Sequence, residues 1–123
     1  MSDCPFCDLN NRTIIAETNE AIAFYDGFPV SPGHILVIPR RHCSDFFQLS
    51  PSEQNACIEL MNECQKRLIS ERNPDGFNIG INVGPAAGQT IFHAHLHLIP
   101  RYVGDVENPR GGVRGVIPAK KDY

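Results

Sequence analysis

Gln89-Thr90-Ile91-Phe92-His93-Ala94-His95-Leu96-His97-Leu98-Ile99-Pro100 alternates imidazoles with apolar side chains and stops at a proline. On an extended strand, residues two apart share a face, so His93, His95 and His97 are expected to line one side. Phe92, Ala94, Leu96 and Leu98 take the other side and can pack on a helix. Two strand rises separate successive histidines by roughly 6–7 Å at the backbone. At that spacing several imidazoles can meet one phosphate group, or two can ligate one metal, histidine being the commonest metal ligand. Three of the chain's five histidines fall in this alternation. Packing alone does not explain them, because imidazoles bury poorly without partners.

Outward from this segment, Phe77 to Val83 also alternates with the period of a strand, and Gly84-Pro85-Ala86-Ala87-Gly88 reads as the loop between the two. Thr13 to Glu17 and Ala21 to Tyr25 read as short strands joined as a hairpin around Asn19-Glu20. His34 to Pro39 is an apolar run suited to a buried strand stopped by proline, and it follows the turn residues Asp26-Gly27-Phe28-Pro29 and Ser31-Pro32-Gly33. The one long helix is expected to start at Ser50. Ser50-Pro51-Ser52-Glu53 supplies an N-cap, a proline at the first helical position and the glutamate of a capping box. Cys57, Leu60, Met61, Cys64 and Leu68 recur at three- and four-residue intervals on one face, and Asn73-Pro74-Asp75-Gly76 ends the helix. The expectation is an α+β domain, an antiparallel sheet covered by one long helix.

At 123 residues the chain makes one domain, residues 1–123, with residues 102–123 an irregular C-terminal tail. A net charge of −3 gives no electrostatic reason to expect a nucleic-acid backbone or an anionic membrane as partner. No apolar run approaches the roughly 20 residues of a membrane span. Met1-Ser2-Asp3-Cys4-Pro5 lacks the basic-then-apolar layout of a signal peptide, so the expected compartment is the cytoplasm.

Five cysteines, an odd number without a secretion signal, argue against a disulfide framework. Cys57 and Cys64 fall in the packing stripe of the helix and read as small buried hydrophobes. Cys4-Pro5-Phe6-Cys7 is a C-x-x-C pair, either redox-active or metal-binding; no strand-before, helix-after context of the thioredoxin kind surrounds it.

The stretch Gly88 to Arg101 resembles the signature of the histidine-triad (HIT) family. Ala23-Phe24-Tyr25-Asp26, Pro32 to His42 and Asn82-Val83-Gly84 resemble its earlier blocks, so the similarity covers about residues 4–101. The tail, with Gly104-Asp105-Val106-Glu107-Asn108-Pro109-Arg110-Gly111-Gly112-Val113-Arg114, is similar to tails of bacterial dinucleoside polyphosphate hydrolases of the family. The resemblance implies a HIT-like fold of about five antiparallel strands and one long helix. It also implies a nucleotide hydrolase or transferase in which His95 attacks the α-phosphorus and forms a covalent nucleotidyl-histidine. The acceptor that fixes the other nitrogen of His95 is implied to be the backbone carbonyl of His97. His97, Gln89 and Thr90 are implied to meet phosphate oxygens, and His34 to support the triad from the neighbouring strand. Asp26 is implied at the ribose hydroxyls and Asn82 near ribose and phosphate. Phe6, Leu9, Phe24 and Leu36 are implied around an adenine or other purine base, where each can equally be core. A purine nucleoside phosphoramidase and a nucleotide-binding regulatory protein are the alternatives; the absence of Trp favours the hydrolase.

A subset of bacterial HIT proteins carries a zinc site whose pattern falls here on Cys4, Cys7, His42 and His93, two thiolates and two imidazoles. The resemblance therefore implies one structural Zn2+ per chain, with His93 withdrawn from catalysis, and a homodimer. Cys43, adjacent to His42, points the other way on an extended segment and is left out of the ligand set. Arg40, Arg41 and Arg101 are expected to be solvent-facing or dimer-edge charges.

Overall fold

The structure is a computed structural model that describes residues 3–123. Met1 and Ser2, the first residues of the stretch read as lacking a signal layout, lie outside them. Among the described residues there are five strands, β1 (Ile14–Glu17), β2 (Ala21–Tyr25), β3 (Ile35–Pro39), β4 (Gly76–Ile81) and β5 (Leu96–Arg101), and one long helix, α1 (Pro51–Arg72). The strands form one sheet in the order β1-β2-β3-β5-β4, with every neighbouring pair antiparallel. This is the α+β arrangement expected from the sequence. No helix among them is long and apolar enough to cross a membrane.

Local chemistry starts and stops α1 where the sequence places it. The Glu53 amide donates to Ser50 Oγ at 3.1 Å, and the Ser50 amide donates back to Glu53 Oε1 at 2.9 Å. Pro51 occupies the first turn, where its missing N–H leaves nothing unpaired. Asn73 closes the helix in the left-handed region, φ 48°. The stripe Cys57, Leu60, Met61, Cys64 and Leu68 packs on Ala21, Ala23, Ile35, Val37, Leu96 and Leu98 of the sheet. Burial pushes the Cys57 thiol up to about 12 and the Cys64 thiol up to about 11, so both act as inert apolar groups.

With one face covered by α1, alternation sends the other half of the strand residues to the opposite face. There Ile22, Phe24, Leu36 and Ile38 pack against Phe6 from the N-terminal segment. Pairing of Phe24 with Leu36, Leu36 with His97, and His97 with Gly80 draws one row of residues across four strands. This row positions the site.

Three expectations are corrected. The histidine segment is not one strand from Thr90; β5 begins at Leu96, leaving His93 and His95 outside it. Continuing the β3–β5 register would set Ala94 opposite Pro39, whose nitrogen has no hydrogen for the ladder. The chain departs there, and the Ala94 amide instead donates to the Cys43 carbonyl at 2.7 Å. Phe92 consequently lies half exposed, and Ala94 packs with Cys43 and Leu49 rather than on α1. Finally, Arg101 is not a free charge. It forks onto Asp105 at 2.8 Å and reaches Asn78 Oδ1 at 2.6 Å, pinning the start of the tail to β4. Residues beyond it contain two short 3-10 turns, Gly112–Val116 and Pro118–Lys120, and Gly112 lies against the Asn78 side chain. Arg40 and Arg41 are exposed as expected, paired with Glu17 and Glu53 respectively.

Candidate functional site

Each imidazole of the site has a hydrogen-bond partner that decides where its proton sits. His95 Nδ1 lies 2.8 Å from the carbonyl oxygen of His93. A carbonyl only accepts, so Nδ1 carries the hydrogen, and in the neutral ring it is Nε2 that holds the lone pair. The acceptor is thus the first histidine of the triplet, not His97 as the resemblance implied. The reason is the same break in the strand. Outside the β3–β5 ladder, the His93 carbonyl is available to a side chain two residues on. His95 is buried, with the ring of Phe6 set edge-on at 5.1 Å and that of His97 at 5.1 Å.

His97, on β5, is the half-buried member of the set. Its Nδ1 lies 3.0 Å from Nε2 of His34. His34 receives the Val30 amide on Nδ1 at 3.1 Å, so its own hydrogen is on Nε2 and is donated to His97. That leaves a hydrogen on Nε2 of His97, as a donor. Asp26 Oδ2 approaches His34 Nε2 at 3.4 Å, and its Oδ1 accepts from the Phe28 amide at 2.9 Å. Burial pushes the His97 pKa down to about 4, helped by its imidazole neighbours. His34 is lowered by burial as well, against the opposing charge of Asp26. The pair is neutral at physiological pH. Opposite His97 on β4 stands Gly80, and a side chain there would meet no atom within 4 Å. Space beside His97 is continuous with a groove of about 570 Å³ that also touches His34, Asn82 and the tail residues Val113 and Val116.

His93 belongs to a second cluster. Its Nε2 donates to the Pro39 carbonyl at 2.7 Å, turning Nδ1 toward Cys4 Sγ at 3.5 Å and Cys7 Sγ at 3.6 Å. His42 Nδ1 lies 3.3 Å from Cys7 Sγ. These four ligand atoms all fall within 4.8 Å of one another. Two sulfurs and two imidazole nitrogens with their lone pairs convergent are the donor set and spacing a tetrahedral soft-to-borderline cation takes, and the Pro39 bond orients His93 as outer partners of metal ligands do. The residues fit a metal. Cys43 is outside the cluster, its buried thiol directed at the Asp45 carbonyl.

The remaining expected residues are placed unevenly. Gln89 is buried and its amide is fully engaged with backbone: Oε1 accepts from Gly84, and Nε2 donates to Ser44 and Ile91 carbonyls at 2.8 and 3.1 Å. It therefore ties the Gly84–Gly88 loop to two other segments rather than presenting its side chain to a phosphate. Thr90 is exposed and borders the hollow beside Cys4 and His42, away from His97. Phe6, Phe24 and Leu36 form one buried cluster with Leu9 packed against it. Sequence reading missed the Pro39 and His93 carbonyls and the Val30 amide, which carry no side-chain signal. It also missed Arg12, whose guanidinium lies 5.4 Å from the ring centroids of both Phe6 and Phe24.

Comparison with known proteins agrees with the fold. Residues 9–104 match the model of the HIT domain. An uncharacterized HIT-like protein of Mycoplasma genitalium is 42% identical over 105 residues, 82% of this chain and 74% of that protein. The adenylylsulfatase HINT3 of Arabidopsis thaliana is 33% identical over 81% of this chain and 53% of its own length. The crystal structure of a HIT family protein from Bacillus anthracis superposes with a TM-score of 0.79 at 38% identity, covering 85% of this chain and 77% of that one. The chain belongs to the HIT domain family.

Proposed function

We propose that the chain is a nucleotide hydrolase that cleaves a phosphoanhydride at a nucleoside 5′-phosphate, of the dinucleoside polyphosphate type, through a covalent nucleotidyl-His95 intermediate. The observation that carries this reading is the His95 tautomer. With Nδ1–H held by the His93 carbonyl at 2.8 Å, a neutral ring offers Nε2 as nucleophile without first losing a proton. Nε2 forms a bond to the α-phosphorus as the bond to the leaving phosphate oxygen breaks. Water then displaces His95 and releases a nucleoside monophosphate. His97 donates its Nε2 hydrogen to a phosphoryl oxygen as charge builds there, and His34 keeps it in the donor tautomer. Asp26, one turn from His34, takes the ribose hydroxyls, and Asn82 lies along the groove toward the phosphates.

One feature favours an anhydride over a phosphoramidate. An amine leaving group needs a proton, whereas a phosphate chain leaves as an anion. His93 has both nitrogens committed, one to Pro39 and one toward the thiols, and Gln89 bonds only backbone. His97 is then the only triad side chain left with a hydrogen to give, and buried with a pKa of about 4 it donates that hydrogen to a phosphoryl oxygen rather than to an amine. The purine nucleoside phosphoramidase is accordingly the second reading, and a binder without turnover the third.

The cluster Cys4, Cys7, His42 and His93 is assigned to one zinc ion per chain. Its chemistry would be to cross-link the N-terminal segment to the triad segment. A homodimer is part of the same reading. Support for it is that β4 is an edge strand with Ile79 half exposed.

The test is turnover of diadenosine tetraphosphate and of adenosine 5′-phosphoramidate by the intact chain and by His95→Ala. The anhydride is expected to be the better substrate, with turnover falling at least about a thousand-fold on substitution. Quenching in alkaline denaturant, where the P–N bond to histidine survives, is expected to trap a nucleotidylated chain that the variant does not form. Unchanged turnover in His95→Ala overturns the nucleophile; tight nucleotide binding with no turnover of either compound favours the binder.

A further inference from the structure

Arg12 and Gly27 lie outside every role assigned above, yet they meet at the base end of the site. The Arg12 guanidinium is half-buried over the aromatic faces of Phe6 and Phe24, 5.4 Å from each centroid. Phe6 in turn stands edge-on to His95 at 5.1 Å. Cation–π contact with two rings holds the guanidinium at this spot, with Nη1 beside Gly27. Among the described residues no carboxylate pairs with it and no side-chain hydrogen bond engages it. By contrast, Arg40, Arg41, Arg67 and Arg101 each hold a carboxylate. Gly27 follows Asp26, and a Cβ on it would stand 2.9 Å from Arg12 Nη1. The missing side chain is what lets the guanidinium reach the turn that carries Asp26.

We infer that Arg12 reads the base, and that it selects 6-oxopurine nucleotides, guanine above all, over adenine. The inference rests on the nucleotide reading given above and refines it. If the α-phosphate is at His95 and the ribose at Asp26, the base leaves the ribose beside Gly27, where the free guanidinium edge lies. A guanidinium offers two parallel N–H donors. Guanine and hypoxanthine present two acceptors, O6 and N7, on one edge, and the fork satisfies both. Adenine presents N7 beside an amino group, which sets donor against donor. A phosphate chain would also attract a guanidinium, but without distinguishing the bases.

The measurement is equilibrium binding of GMP, IMP and AMP to the intact chain and to Arg12→Gln, Arg12→Lys and Gly27→Ala, by titration calorimetry. Wild type is expected to bind GMP and IMP about 10-fold or more tighter than AMP, the discrimination of one bidentate pair. Arg12→Gln and Arg12→Lys are expected to bring that ratio close to one, lysine because it keeps the charge but lacks the fork. Gly27→Ala displaces the guanidinium without removing it and is expected to lower the ratio with Arg12 intact. Because Arg12 and Gly27 are at the surface edge, matched melting temperatures across the set show that the fold is unchanged. Equal affinity for all three nucleotides in wild type, or a ratio that the variants leave untouched, overturns the inference while the nucleotide reading stands. A uniform loss for GMP, IMP and AMP assigns Arg12 to the phosphates or to packing and also overturns it. Binding of none of the three removes both readings together.

Discussion

His97 is neutral in the folded chain because partial burial penalises its charged form. Burial, and the imidazoles of His95 and His34, hold its pKa at about 4 against an ordinary 6.5. An unfolded chain therefore binds a proton at this residue below about pH 6.5 while the folded chain does not, until about pH 4. Stability is present above the upper value and is lost as pH falls through that window. His34 adds in the same direction. His97→Gln should flatten the dependence, so wild type is expected to lose of order 1 kcal/mol more between pH 7 and pH 5 than the variant. Urea unfolding at the two pH values checks it, and parallel losses would mean the ring is not held neutral. Gln89 makes a different kind of contribution. Its amide completes the backbone of three segments, so Gln89→Ala leaves the Gly84 amide and two carbonyls short of a partner. A destabilisation of about 1–3 kcal/mol is expected in equilibrium unfolding. A milder effect, with phosphate affinity lost instead, would return Gln89 to the ligand.

The elements differ in how far local sequence determines them. The start of α1 is local: Ser50 and Glu53 bond each other's amides across three residues, and Arg41 then forks onto Glu53 at 2.9 Å. Arg41 and the cap together hold the Glu53 carboxyl down at about 2. Its contribution is complete above the ordinary carboxylate pKa and disappears as pH falls from there toward 2. Ser50→Ala is expected to cost about 1 kcal/mol of stability at pH 7. The cost should shrink below about pH 2, where the protonated glutamate no longer completes the box; an undiminished cost there would place the effect elsewhere. Such a cap, like the α1 stripe and the hairpin at Asn19-Glu20, is readable from the chain because cause and effect lie within a few residues. The start of β5 is not. Strict alternation runs from Phe92 to Leu98, but whether it pairs depends on Pro39, some fifty positions away, arriving opposite Ala94. The same distance separates readable from unreadable chemistry in the site. That the histidines gather is visible in their spacing. Which nitrogen carries each proton depends on carbonyls and amides of Pro39, His93 and Val30, which no side-chain pattern marks. Arg12 passes unnoticed for the same reason, since its meaning comes from Gly27 and two rings brought to it by the fold.

At the scale of the molecule the proposed zinc joins three parts that the sheet does not hold together. Cys4 and Cys7 belong to the N-terminal segment, His42 to the connection between β3 and α1, and His93 to the stretch leading into β5. Between the two cysteines sits Phe6, which covers Phe24 and stands against His95. Loss of the metal therefore frees the residue that separates the base end of the site from the nucleophile, while His97, His34 and Asp26 keep their bonds. The consequence is asymmetric. Cys4→Ser combined with Cys7→Ser is expected to remove one zinc per chain by elemental analysis, to lower the melting temperature, and to raise KM more than it lowers kcat. Prolonged chelation of wild type should do the same, because a site absent from the unfolded chain stabilises the fold by its binding free energy. Cys43→Ser serves as the comparison: its thiol faces the Asp45 carbonyl, so metal content should stay at one. If the double variant melts with wild type and neither protein holds metal, the four residues are only a hydrogen-bonded cluster. If instead kcat collapses with KM unchanged, the metal acts on the chemistry and His93 returns to the catalytic set.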